Sequence, residues 1–113
     1  MEVVNKSKNT LLARDVKLAN TFIKRLVGLL GKSALGPSEG LVLEPCDSVH
    51  TFFMRFAIDV IFADKNNKVI KVYTALKPNR LTSVFFNASY AVELPAGTIQ
   101  SSRTEAGDTL AIQ

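Results

Sequence analysis

The only cysteine and the only histidine of the chain lie four positions apart in the stretch CDSVHTFFMR, and a methionine follows four positions later. Cys46, His50 and Met54 thus put a thiol, an imidazole and a thioether into one short segment. Two chemistries use such a set. Thiolate, imidazole and thioether together suit a soft ion such as Cu(I), whereas zinc normally takes four nitrogen or thiolate ligands. Alternatively, Cys46 and His50 form a nucleophile and its base, with Asp59 or Asn87 orienting the imidazole and the imidazole lowering the thiol pKa. Neither chemistry has a supporting pattern, since no CxxC or HxxxH accompanies the pair and no cysteine-hydrolase signature surrounds Cys46. The plainer account is that a lone cysteine acts as a small hydrophobe and a methionine between phenylalanines fills a core.

A second set is charged. Arg25, Arg55, Asp59 and Glu93 each sit in an apolar context, where an unpaired charge is costly to desolvate. They are therefore expected to meet in pairs, either as an ion-pair network fixing a helix against a sheet or as a polar cluster on the floor of a cleft. In the second case His50 and Arg55 would hold a small anionic or sugar-like ligand by charge-assisted hydrogen bonds. The reading adopted is a non-enzymatic ligand-binding or accessory module. Its cleft centres on His50, Arg55 and Asp59, Arg25 and Glu93 contribute to it, and Cys46 lies at its rim. A Cys46–His50 enzyme and a metal site of Cys46, His50 and Met54 are the alternatives, and no cofactor is expected.

These residues need elements to position them. On a helix, Cys46, His50 and Met54 would stack on one face, but Thr51, Phe52 and Phe53 favour a strand. An extended chain from Val49 puts His50, Phe52 and Met54 on one face and Thr51, Phe53 and Arg55 on the other, with Cys46 on the turn before it. AIDVIFAD is expected as a central strand apolar on both faces, so that Asp59 is buried or half-buried. A hairpin turn at DKNNK leads to KVIKVYTA as its partner. EVVNK, TLLAR, LVLEP, SYAVELPAG and TLAIQ read as further strands. The helix signal is Ile23, Leu26, Val27 and Leu30, a stripe that can bury against a sheet, with Asn20 or Thr21 as cap and Gly31 as terminator. The fold expected is α+β: a mainly antiparallel, barrel-like or strongly curved sheet of short strands covered by one helix over about residues 20–31.

The bulk properties fit one domain over residues 1–113, since 113 residues with 47% hydrophobic content can bury a core unaided. A net charge of +4 permits weak attraction to anions. The basic residues Lys24, Lys32, Lys77, Arg80 and Arg103 lack the interleaved exposed aromatics of a nucleic-acid groove, so nucleic acid is disfavoured as a partner. One cysteine forms no internal disulfide, and no apolar run is long enough for a membrane span. Cytoplasmic location and a monomer or weak dimer are the expectations, with a secreted or processed form left open.

Four segments carry a family resemblance: RLVGLLGK, VHTFFMRFAIDVIFAD, AVELPAG and AGDTLAI, in this order. Together they resemble domain-of-unknown-function family 192, over about residues 18–112. The resemblance implies a compact α+β fold, an open or barrel-like sheet with a helix, and no established activity. The family's motif positions fall on Arg25, Gly28, His50, Phe53, Met54, Arg55, Asp59, Glu93, Pro95, Gly97, Gly107 and Asp108. Ala57 stands where relatives often have proline, and Asn66–Asn67 where an Asp-Gly turn is frequent. Neither departure touches a chemically active side chain, and secreted relatives occur.

Overall fold

The computed structural model describes all residues 1–113. Its elements run β1 (Val3–Asn5), β2 (Thr10–Ala13), β3 (Asp15–Ala19), α1 (Phe22–Val27), β4 (Glu39–Leu43), β5 (Ile58–Ala63), β6 (Val69–Leu76), β7 (Tyr90–Pro95), α2 (Thr98–Ser102) and β8 (Leu110–Ile112). They form a three-stranded sheet, β2-β1-β8, and a five-stranded sheet, β3-β4-β7-β5-β6. All pairings are antiparallel except β3 with β4, and the sheets do not close into a barrel. The fold is α+β, as the order of short strand signals implies.

Period-2 alternation divides the molecule into two cores. Along β5 and β7 the opposed pairs Ile61↔Val92 and Ala63↔Tyr90 share one face, and Val60↔Glu93 and Phe62↔Ala91 share the other. On the first face Leu94, Val92, Ile61 and Tyr90 pack with Val3, Leu12 and Leu110 of the small sheet and with Ile99 of α2. On the second face Leu41, Leu43, Ile58, Val60 and Phe62 are covered by Leu29, Val49 and Met54, which belong to connecting segments. Because both faces are covered, every residue of β5 is buried, as its apolar run on both faces anticipates.

The helix departs from expectation. Thr21 caps it, its Oγ1 accepting from the Lys24 N–H at 3.1 Å, but the helix stops at Gly28, before Leu30. Gly28 has φ +50° and ψ −120°, a backbone region open essentially to glycine alone, and its N–H donates to the Lys24 carbonyl. The 3.6-residue stripe is therefore cut short. Phe22 and Ile23 are 69% and 63% exposed, Leu26 and Val27 are also exposed, and no residue of α1 is buried. Leu29 makes the core contact after the helix has ended.

Other expectations shift as well. VHTFFMR forms no strand: His50 makes an isolated bridge to Leu81, and the chain then turns at Phe53, which has φ +65° and is 85% exposed. Phe22, Phe52, Phe53 and Phe86 are exposed, whereas Phe62 of β5 is fully buried. DVKLA and TIQSS form β3 and α2, elements too short to stand out by periodicity. No helix is long and apolar enough to cross a membrane.

Candidate functional site

A cleft opens over the second face of the large sheet, between α1 with its following turn and the segment after β4. Its polar or chemically active lining residues are Arg25, Cys46, Asp47, Ser48, His50 and Glu93, and Leu26, Leu30 and Met54 are among the apolar ones. The cleft offers about 200 Å³, enough for a ligand of a few heavy atoms.

Glu93 is the floor. It lies opposite Leu41 on β4 and Val60 on β5, so its side chain emerges from the middle of the sheet into an apolar surround. The residue is 3% exposed, and Oε1 is buried without any hydrogen-bond partner. Burial alone pushes the carboxyl up to about 8, because no cation or donor stabilises the charged form. The only ion pairs in the chain join Lys8 to Asp108 and Glu105. Gly28 lets the end of α1 come down on this carboxyl. A methyl group built on Gly28 would lie 3.9 Å from Glu93 Oε1 and 3.7 Å from the Arg25 carbonyl oxygen.

His50 enters from one wall, and a polar hub fixes it there. Thr51 is fully buried, donates from Oγ1 to the Lys77 carbonyl at 2.6 Å and accepts from the Arg80 N–H at 2.9 Å. Val49 and Thr82 exchange bonds, the Val49 N–H reaching Thr82 Oγ1 at 3.0 Å and the Thr82 N–H reaching the Val49 carbonyl at 3.0 Å. With Val49 and Thr51 both turned inward, the intervening His50 faces the cleft. Its ring stacks on Phe52 with centroids 5.4 Å apart, and its buried Nδ1 has no hydrogen-bond partner. Two residues that line the cleft thus each carry a buried polar atom that nothing in the chain satisfies, Glu93 Oε1 and His50 Nδ1.

Cys46 does not pair with His50. Its Sγ donates to the Ser48 carbonyl at 3.1 Å. Burial first, with added repulsion from Glu93 and Asp47, pushes the thiol from 9.0 up to about 11, outweighing the Ser48 contact and the attraction of Arg25. This thiol stays protonated at neutral pH, the reverse of an activated nucleophile. Met54 lies in the apolar lining, and nowhere do three His, Cys, Asp or Glu side chains converge as a metal site requires.

The four charged residues are not brought together. Arg25 reaches the cleft from α1, and its Nη1 lies 3.5 Å from the Glu44 carbonyl. Arg55 is exposed and lines no part of the cleft. Asp59 points through the opposite face of the sheet, since its partner in β7 is Leu94. There it is 1% exposed and accepts from the Ala75 N–H at 2.8 Å on Oδ1, and from the Gly97 and Ile99 N–H groups at 3.1 and 2.8 Å on Oδ2. These bonds tie β5 to β6 and to the start of α2, where Gly97 offers no side-chain cap of its own. The expected cleft of His50, Arg55 and Asp59 is thus replaced by one of His50, Glu93 and Arg25. Asp47 and Ser48 are lining residues that sequence reasoning passed over, because short polar residues in a turn carry no distinguishing signal.

Comparison with known proteins agrees with this architecture. A protein of unknown function from Novosphingobium aromaticivorans superposes with a TM-score of 0.83 at 18% identity, over 98% of this chain and 82% of that one, a likeness of fold. A UPF0127 protein of Pyrococcus horikoshii is 40% identical over 114 residues, covering 96% of both chains. Another, from Pyrococcus furiosus, is 38% identical over 114 residues, covering 96% of this chain and 95% of its own. The profile of the DUF192 family, described as an uncharacterized ACR, matches residues 3–112, and the chain belongs to that family.

Proposed function

We propose that this protein is a small-molecule-binding module whose site is the cleft floored by Glu93, walled by His50 and rimmed by Arg25. The observation that carries the reading is the pair of unsatisfied buried atoms, Glu93 Oε1 and His50 Nδ1, in one cleft. Buried polar groups in folded proteins nearly always have partners, and leaving one without costs about 1–3 kcal/mol. Two such atoms, on two residues that line one cleft, are best accounted for by a ligand that draws both side chains into contact with it. A binding role, and not a cysteine-dependent one, is favoured by the protonated Cys46 thiol and its bond to Ser48.

The test is a small-molecule fragment screen against the ¹⁵N-labelled full chain, read by amide chemical shifts. Ligands should perturb Gly28, Cys46 and His50 together, and Glu93→Leu, which fills the floor with an apolar side chain, should abolish the response. Fragments that bind only elsewhere, or none at all, would overturn the reading.

A further inference from the structure

The chemistry of the floor narrows the ligand, on the assumption that the cleft is a ligand site. We infer that the cleft receives an organic ammonium group, bound by the Glu93 carboxylate with the lone pair of the neutral His50 ring as a second acceptor, and that its alkyl portion lies against Leu26, Leu30 and Met54.

Three observations favour a cation over a neutral or anionic group. First, Glu93 and the backbone beside it offer acceptors. Glu93 Oε1 is unpartnered, and the Arg25 carbonyl oxygen flanks the same approach at Gly28. Neutral His50 presents a lone pair at whichever ring nitrogen lacks hydrogen. Second, Glu93 has no counter-charge. From α1 it is faced by Arg25, which forms no ion pair with it, and from the segment after β4 by Cys46, Asp47 and His50. β4 and β5 present only Leu41 and Val60 beside it. A buried carboxylate so placed gains most from a ligand that supplies the missing positive charge with an N–H donor. Third, wherever Glu93 is ionised an anion would meet Glu93 and Asp47 together, with only Arg25 to offset them, which disfavours the anionic ligand expected from the sequence.

Linkage makes the inference measurable. Ammonium binding requires ionised Glu93, whose carboxyl ionises near 8 in the free protein, so binding releases a proton below that pH. A simple amine keeps its own charge up to about pH 10.

The experiment compares isobutylammonium chloride with isobutanol, an uncharged probe of nearly the same shape, by ¹⁵N amide shifts of the wild-type chain from pH 6.5 to 9. Isobutylammonium should shift Gly28 and His50, and its apparent affinity should rise close to tenfold per pH unit before levelling above about 8. Isobutanol should bind more weakly at pH 9 and show no such rise. Glu93→Gln keeps the shape of the floor and removes its charge, so it should lose the ammonium response and the pH dependence together. If isobutanol matches the ammonium at every pH, or if neither probe binds, the inference fails. The ligand-site reading itself is then decided by the fragment screen, in which neutral fragments at the same residues would uphold it.

Discussion

Asp59 and Glu93 are carboxylates on adjacent, hydrogen-bonded strands, one residue apart in register, and they leave the sheet through opposite faces. Both are almost wholly buried. Asp59 accepts three backbone hydrogen bonds, whereas Glu93 Oε1 accepts none. The first is a structural staple, and the second is the unpartnered floor of a cleft. Their different surroundings, with the same functional group in both, yield separate predictions.

Glu93 should make the protein less stable as pH rises. Its carboxyl ionises near 8 when folded and near 4.5 when exposed, so between these values the folded state holds a proton that the unfolded state has lost. Stability is then whole below about pH 4.5, declines by about 1.4 kcal/mol per unit through the window, and levels above about 8. Urea denaturation of wild type and Glu93→Gln over pH 5–9 should show this slope in the first and its absence in the second.

Asp59→Asn should destabilise the fold by about 2–4 kcal/mol, although it changes no volume. Oδ1 and Oδ2 both accept backbone N–H groups, and an amide has only one oxygen, so its NH₂ must face a donor. Chemical denaturation measures the loss, and hydrogen exchange should rise first at Ala75, Gly97 and Ile99. Near-wild-type stability would show that these bonds carry little.

Gly28→Ala tests the end of α1. The space around the new methyl group is ordinary, with its nearest neighbours at 3.7 and 3.9 Å, so the cost arises from φ +50° and ψ −120° and not from a clash. That conformation penalises alanine by about 1–3 kcal/mol. The melting temperature should fall, and the amide shifts of Cys46 and His50 across the cleft should move with it. A silent substitution would mean that the backbone here relaxes freely.

The Cys46 thiol should react sluggishly. With ionisation pushed up to about 11, iodoacetamide at pH 8 should alkylate the folded chain far more slowly than the urea-unfolded chain. Mass spectrometry of timed samples gives both rates. Faster labelling of the folded chain would restore the case for a Cys46–His50 pair.

Much of the scaffold was legible before any tertiary information. The alternation of Tyr90, Val92 and Leu94 fixes the faces of β7, and the apolar run of Ile58–Ala63 announces a strand covered on both sides. The helix was half legible. Thr21 signals its start, but the apolar stripe suggests a continuation to Leu30 that Gly28 prevents. The loop after Val49 misled for a related reason. Thr51 and two phenylalanines favour a strand locally, but Thr51 is bound by the distant Lys77 and Arg80 segment, which holds the chain in a turn.

For the site, the sequence singled out Arg25, Arg55, Asp59 and Glu93 as charges needing partners, and named His50 as a ligand-holding residue among them. Only the strand register separates these. Alternation within a strand is a local property, so the sequence by itself determined that Glu93 faces away from Val92 and Leu94, and that Asp59 faces away from Val60. Which of those faces coincide across two strands, and what covers each, is a long-range property settled by the Val60↔Glu93 pairing. The tertiary structure placed Asp59 beneath the start of α2 and Glu93 beneath Gly28. Backbone donors are therefore within reach of one carboxylate, while the other is left to a cleft.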